Sequence, residues 1–474
     1  MALTGRESEV LILKELLQSK EAEMLAIYGR RRVGKTFLIH TTYRDHIVFE
    51  CNGLHDENLQ SQLQNFWYAL LRVVKPGLLI APPTSWLQVF EMLRSYLETL
   101  KGEKKHVIFL DELPWFDTPR SGFLAALGNF WNAWAVKRTD VLLVICGSAA
   151  SWMIGKVIFN RGGLHNRVTR KICLLPFTLK EVKDYLRSRK VSLQDYDLLQ
   201  LYMAIGGIPY YLRFVKPGKS VPQIIQALFF DTHSPLKDEF ENLFASLFSN
   251  YNHHIDIIQA LASKHRGLTR GEILENIGKV SSGAFSGYLS ELIESGFVIS
   301  LQPFLNQKKE TIYRLGDEFS HFYLKFLYHK RKSAPWIMIS SQQSYKVWCG
   351  LVFENICIRH IEQIKHSLGI SGIHTEVSSF ISTGKEDRYG VQIDLIIDRA
   401  DNCINLCEMK FHNDVFVITN SYLNELRKKC ELFKTYTKTR KNIFLTMITA
   451  YGVSKNAQML NIVSNTVEMK ALFQ

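Results

Sequence analysis

The chain has 474 residues, 46% hydrophobic and 22% charged, so it reads as ordinary globular protein of roughly two to four domains. Lys and Arg exceed Asp and Glu by 58 − 45 = 13, which favours polyanionic partners such as nucleotides or nucleic acid. The eight scattered cysteines form no C-x-x-C pair, no apolar stretch is long enough for a bilayer and the N-terminus lacks a signal-peptide core, so zinc, a membrane span and secretion are set aside and a reducing cytoplasm is expected.

Glu7–Ser19 places Val10, Leu13, Leu16 and Leu17 at helical spacing. Met24–Tyr28 is a short apolar run that suits a buried parallel strand. It leads into Gly29–Thr36, which reads Gly-Arg-Arg-Arg-Val-Gly-Lys-Thr. Every fixed position of the G-x-x-x-x-G-K-[ST] phosphate-binding loop is met. Gly29 and Gly34 free the backbone to turn its N–H groups inward around phosphate oxygens. Arg30, Arg31, Arg32 and Val33 supply the intervening amides. Lys35 is a cation for the β- and γ-phosphates of ATP, and Thr36 offers a hydroxyl to Mg²⁺. The helix expected after Thr36 points its N-terminus at the same phosphates.

Ile47–Cys51 is the next strand candidate. Leu59–Val74 and Trp86–Leu100 read as amphipathic helices. His106–Leu110 is a second apolar strand, ending in Asp111-Glu112. Downstream of a phosphate loop, this is where an acidic pair is expected. Asp111 would hold Mg²⁺ and Glu112 would polarise the attacking water. Val141–Cys146 is a third apolar strand, followed by Gly147-Ser148. Ser148 is placed either to sense a γ-phosphate or simply to end a strand in a turn.

These residues resemble one group of prokaryotic ATPases, the archaeal-type ATPase family of the AAA+/STAND superfamily. Gly5-Arg6-Glu7, the phosphate loop, Leu110-Asp111-Glu112, Cys146-Gly147-Ser148, Leu175-Pro176-Phe177 and Gly206-Gly207-Ile208-Pro209 carry the resemblance, over roughly the first 230 residues. It implies an α/β fold, a doubly wound P-loop core (1–175) followed by a helical lid (176–250). It also offers Arg167, ahead of Arg170, as an arginine finger in cis or from a neighbouring copy. Solvated arginines are the alternative.

Residues 251–318 read as a winged helix. Thr269–Ile277 and Ser281–Ser295 form the helix pair, and Phe297–Leu301 with Thr311–Leu315 form the wing. The second helix has no Lys or Arg but carries Glu291 and Glu294. It therefore suits docking better than DNA readout. Lys308 and Lys309 in the wing remain able to touch a phosphate backbone. Residues 319–344, aromatic and basic, read as a connector.

Residues 345–474 contain a second chemical centre. Tyr345–Ile364 is a helix candidate carrying Glu354. Gly390–Asp398 and Cys403–Phe411 alternate as strands around a turn at Asp401-Asn402. Counting outward from Asp401 sets Asp394 opposite Glu408 and Gln392 opposite Lys410. Opposed carboxylates are tolerated readily when a divalent cation lies between them. Asp394, Glu408, Lys410 and Glu354 resemble the metal site of the PD-(D/E)XK nuclease fold, a restriction-endonuclease-like α/β domain. Tyr422, Leu426 and Lys429 resemble the helix that follows it. Within Leu426–Lys441, Arg427, Lys428, Lys429, Lys434, Lys438, Arg440 and Lys441 stand against Glu431 alone, which suits either a DNA backbone or a solvated helix face. The expectation is an ATPase coupled to a metal-dependent DNA endonuclease, with homo-oligomers possible and no membrane partner. The rival is a nucleotide-controlled switch whose C-terminal domain is catalytically inactive and only binds nucleic acid or protein.

Overall fold

The structure, a computed structural model, describes all residues except 1–2, 75–80, 101–103, 159–162, 165, 249, 265, 279–281, 305–310, 329–333 and 383–389. Lys308 and Lys309, expected in a wing, lie outside the described residues, as does the basic run 329–332. The chain divides into two compact units, Met1–Leu175 and Pro176–Gln474.

The first unit is built on a five-stranded parallel sheet: β1 (Glu23–Tyr28), β2 (Ile47–Asn52), β3 (His106–Asp111), β4 (Val141–Gly147) and β5 (Arg170–Cys173). Their spatial order is β2-β3-β4-β1-β5. Residues of β3 and β4 are buried along their whole length, as a parallel sheet covered on both faces requires. Helices Leu59–Val73 and Trp86–Thr99 start where Asn58 and Ser85 side chains accept the N–H groups of Ser61 and Gln88. They bring Phe66, Trp86 and Phe90 against Phe116, Phe123 and Phe130, and this aromatic cluster fills one face of the sheet. The carboxyl ends of β1, β3 and β4 open on one edge, where parallel α/β sheets place ligands.

The second unit begins with helices, among them Leu179–Ser188, Asp195–Ile205, Glu239–Leu247 and Tyr251–Ser263. Thr178 and Glu181 form a reciprocal cap at the first of these. Gly206 and Gly207 have a packing reason. A Cβ on Gly207 would lie 1.9 Å from Phe177 O, and one on Gly206 would lie 2.9 Å from Glu318 Oε2. Helices Arg270–Ile277 and Ser282–Glu294 then precede an antiparallel hairpin of β6 (Val298–Leu301) and β7 (Ile312–Leu315). Glu291 is not left facing outward alone, because His254 Nε2 lies 2.6 Å from its carboxylate.

The expected connector 319–344 is instead core. Helix Glu318–Phe326 buries Phe319 against Tyr211 and Phe229, and Phe322 and Phe326 against Trp336 and Trp348. Positions 319, 322 and 326 lie on one helical face, so the aromatic residues form a stripe. The expected helix Tyr345–Ile364 breaks at His360 into Gln343–Arg359 and Ile361–Ser367.

A five-stranded mixed sheet follows: β8 (Thr375–Ser382), β9 (Val391–Arg399), β10 (Cys403–Lys410), β11 (Asn442–Thr449) and β12 (Val463–Glu468). The order is β12-β11-β10-β9-β8, with β8, β9 and β10 antiparallel and β10, β11 and β12 parallel. Helix Asn420–Thr437 lays Leu423, Leu426 and Phe433 onto Ile393, Ile404, Leu406 and Met447.

Candidate functional sites

In the first unit, Gly29 has φ +139° and passes so close to the next segment that a Cβ would lie 2.4 Å from Leu174 O. Gly34 has φ +94° and caps helix Lys35–Tyr43. The loop between them thus holds a left-handed backbone, shared by Arg32 at φ 72°. Arg6 braces it from below, donating to Val33 O at 3.3 Å and Leu175 O at 2.6 Å. Arg31 stacks over the Trp115 ring at 5.2 Å.

Lys35 Nζ donates to Gly29 O at 2.8 Å and to Arg30 O at 3.0 Å, which pins the amine inside the curve of the loop. Thr36 Oγ1 donates to Asp111 Oδ2 at 2.6 Å, joining the end of the loop to the end of β3. Asp111 Oδ1 accepts the Glu112 N–H at 2.9 Å. Glu112 itself is left-handed, φ 48°, and this turns its carboxylate towards β4. There the Ser148 N–H donates to it at 3.1 Å, and the Ser148 hydroxyl donates to its other oxygen. Asp111, Glu112 and Ser148 are therefore linked through Thr36 to the loop.

Arg167 is elsewhere. Thr169 donates its N–H to Met24 O, and Arg170 pairs with Leu25, at the amino end of β1. Arg167 lines a surface recess with Lys20, Glu21 and Thr139. From Met24 to Gly29 a strand rises about 16 Å. Arg167 is thus not a finger towards its own chain's phosphate loop. The sequence could not show this, because a residue just before a strand lies at the end opposite to one just after a parallel neighbour.

In the second unit, the β9–β10 ladder runs to Leu395 and Cys407, one residue short of Asp394 and Glu408. Glu408 accepts hydrogen bonds from Tyr422 Oη at 2.7 Å and Lys429 Nζ at 2.8 Å, and Lys410 Nζ lies 3.0 Å away. Burial by itself would raise its carboxyl, yet Lys429, Lys410 and Tyr422 together hold it below the ordinary value. Asp394 accepts from Gln392 Nε2 at 2.8 Å.

The residue that sequence reading missed is Arg314, from β7. Its side chain is 3% exposed. One nitrogen donates to Asp394, and the other lies 3.3 Å from Glu354 Oε2. Glu354 is pushed well above the carboxylate range by burial and by Asp394, with Arg314 opposing. A single arginine in one strand of the β6–β7 hairpin carries no motif, so no sequence signal pointed to it. The opposed pair expected to need a metal is thus already met by the chain's own cations. Among the described residues, no group of three His, Cys, Asp or Glu side chains is arranged to hold a metal ion. Asp394, Glu408 and Glu354 as arranged do not fit one, because Arg314, Lys410 and Lys429 take up their oxygens.

The basic stretch after this centre is also partly spent. Lys429 faces Glu408, and Lys441 lies 2.5 Å from Asp398. Arg427, Lys428, Lys434, Lys438 and Arg440 are exposed. Among the described residues, no helix is long and apolar enough to cross a membrane.

Residues 3–215 match the family described as an ATPase domain predominantly from Archaea. The chain is 26% identical over 404 residues to the uncharacterized protein MJECL04 of Methanocaldococcus jannaschii, covering 82% of this chain and 83% of that one. Among solved structures, the Walker-type ATPase paby2304 of Pyrococcus abyssi aligns with TM-score 0.49 and 17% identity, over 68% of this chain and 96% of that one. The ORC2 protein of Aeropyrum pernix aligns with TM-score 0.43 and 15% identity, over 76% of this chain and 96% of that one. The family match spans the phosphate loop, the Thr36–Asp111 link and the Glu112–Ser148 contact, and this chain therefore carries an ATPase domain of the predominantly archaeal type.

Proposed function

We propose that this chain is an ATP hydrolase in which nucleotide controls the state of the molecule. The observation that carries the reading is the continuous link from the phosphate loop through Thr36 and Asp111 to Glu112 and Ser148. In this reading, the Gly29–Gly34 amides and Lys35 hold the β- and γ-phosphates. The Thr36 hydroxyl and the Asp111 carboxylate suit a hard divalent cation, which would offset phosphate charge when bound. Glu112 orients and deprotonates the attacking water, and Ser148 fixes the carboxylate for that task. An Arg167 or Arg170 finger then has to come from a second copy of the chain. The test is nucleotide titration and turnover on the wild type: ATP binding without Mg²⁺-dependent hydrolysis would reduce the domain to a binding switch.

The finer reading of the second unit is a helical lid, a winged helix and a PD-(D/E)XK nuclease-like domain that contacts DNA. The convergence of Glu408, Lys410, Tyr422 and Lys429 beside Asp394 supports it, as do the exposed basic residues of 427–440. Arg314 favours the second reading, a nuclease-like domain that is catalytically silent in this arrangement. Cleavage of plasmid DNA, with and without ATP and Mg²⁺, separates the two.

A further inference from the structure

We propose that Arg314 is an internal counter-ion. It takes the place of a divalent cation between Asp394 and Glu354, and it keeps metal off this site while the β6–β7 hairpin is docked. The proposal rests on the nuclease-like reading of these carboxylates.

The argument begins with charge. Asp394, Glu354 and Glu408 supply at most three negative charges, fewer while burial holds a proton on Glu354, against the three positive charges of Arg314, Lys410 and Lys429. The cluster carries no net negative charge. A divalent ion added to it would sit beside three cations in a partly buried place, where like charges repel strongly. Removing Arg314 frees the Asp394 and Glu354 oxygens and leaves three carboxyl groups against two cations, a setting in which a hard cation can bind.

Geometry gives the second part. A guanidinium is planar and presents N–H groups on separate nitrogens, so one arginine can bridge two carboxylates set apart, whereas a lysine offers all its donors from one nitrogen. Arg314 does so with its NH1 and NH2 nitrogens.

The third part is how Arg314 is held. Its position comes from the backbone of β7. Asn355 Nδ2 donates to Leu315 O at 2.8 Å, from the helix that carries Glu354. On the other side of the hairpin, Phe304 N donates to Ser379 O at 2.8 Å and Ser379 N donates to Gln302 O at 3.2 Å, so the hairpin is tied to β8. Gly267 packs against the stem of Arg314, where a Cβ would lie 2.8 Å from its Cγ. Arg314 is 3% exposed and packed at its stem, so emptying the site takes a rearrangement of this side chain with its packing or of the hairpin, and metal entry depends on that conformational step.

The experiment uses the full chain without nucleotide. Mn²⁺ is titrated by calorimetry, with thermal melts in parallel, into the wild type, Arg314→Gln, Arg314→Lys and the double variant Arg314→Gln/Asp394→Asn. Arg314→Gln should bind Mn²⁺ at least about tenfold more tightly than the wild type, a coupling of the usual size between competing ligands. The gain should vanish in the double variant. Arg314→Lys, which keeps a charge and protects the fold, should fall between. Equal affinity in the wild type and both single variants overturns the proposal, as does a gain that survives Asp394→Asn. If Arg314→Gln does not fold, Arg314→Lys decides alone by the same comparison. Plasmid cleavage separates this from the nuclease reading. Tighter Mn²⁺ binding without cleavage supports the counter-ion and sinks the nuclease. A wild type that binds Mn²⁺ tightly and cuts DNA does the reverse.

Discussion

Ser148, at the end of β4, holds the carboxylate of Glu112, at the end of β3, through its backbone N–H at 3.1 Å and through its hydroxyl. Glu112→Gln should keep ATP affinity and lose about two orders of magnitude or more in turnover, the usual contribution of a positioned general base. Ser148→Ala keeps the backbone donor and should lose less, about tenfold, from looser orientation. Equilibrium binding and steady-state hydrolysis on both variants check this. Normal turnover in Glu112→Gln would remove it from the role of base.

Lys35→Ala should abolish ATP binding, since it removes the fixed cation of the loop. Gly29→Ala should fail differently. Its Cβ would meet Leu174 O at 2.4 Å, and relief requires moving backbone. A loss of about 1–3 kcal/mol is expected from such strain. Thermal melts should show Gly29→Ala lowered and Lys35→Ala near wild type.

Asp394→Asn should destabilise the second unit. Opposed carboxylates without a cation would gain from losing a charge, but Arg314 and Gln392 already satisfy Asp394. Weakening a buried ion pair at one end costs about 1–3 kcal/mol. A raised melting temperature in Asp394→Asn would contradict this assignment.

His360 provides a pH signature. Its Nε2 accepts the Leu179 N–H at 3.1 Å and its Nδ1 donates to Ile356 O at 2.9 Å, so the folded ring is neutral. Burial lowers its pKa to about 4. The unfolded chain takes up this proton first, near pH 6.5. The stabilising contribution is therefore complete above that pH and is lost as the pH falls towards about 4, up to about 3 kcal/mol. Denaturant unfolding between about pH 7.5 and about pH 4.5 should give a shallower loss in His360→Gln than in the wild type. Parallel curves would show that His360 does not titrate in this way.

Arg427, Lys428, Lys434 and Lys438 are exposed, Arg427 donating to Asn461 at 2.6 Å, and the half-buried Lys441 is paired with Asp398. Replacing the first four by Gln should weaken DNA binding and flatten its salt dependence, by up to about 0.9 in logarithmic slope per lost phosphate contact. Lys441→Gln should instead lower stability. Unchanged salt slopes in the fourfold variant would remove this helix as a DNA surface.

The phosphate loop, the strands before and after it and the β9–β10 hairpin were legible in the sequence. Each is a local pattern in which spacing alone sets backbone shape or side-chain face. The glycines at 29 and 34 announce a positive φ, and alternation around Asp401 brings Asp394 and Glu408 to the position just past the end of the β9–β10 ladder. β5, β8, β11 and β12 carry no comparable sequence signal, and the aromatic stripe of 319–336 reads as a connector because its basic flank masks the helical spacing. Arg167 needed the sheet order, since direction along parallel strands decides which end a residue occupies. Arg314 needed the whole second unit. It meets Asp394 from 80 residues away. Periodicity reports which face a side chain takes, but the charge it meets there depends on which distant element packs against that face. Only the tertiary structure brings the arginine of β7 to the carboxylates of β9 and of helix Gln343–Arg359.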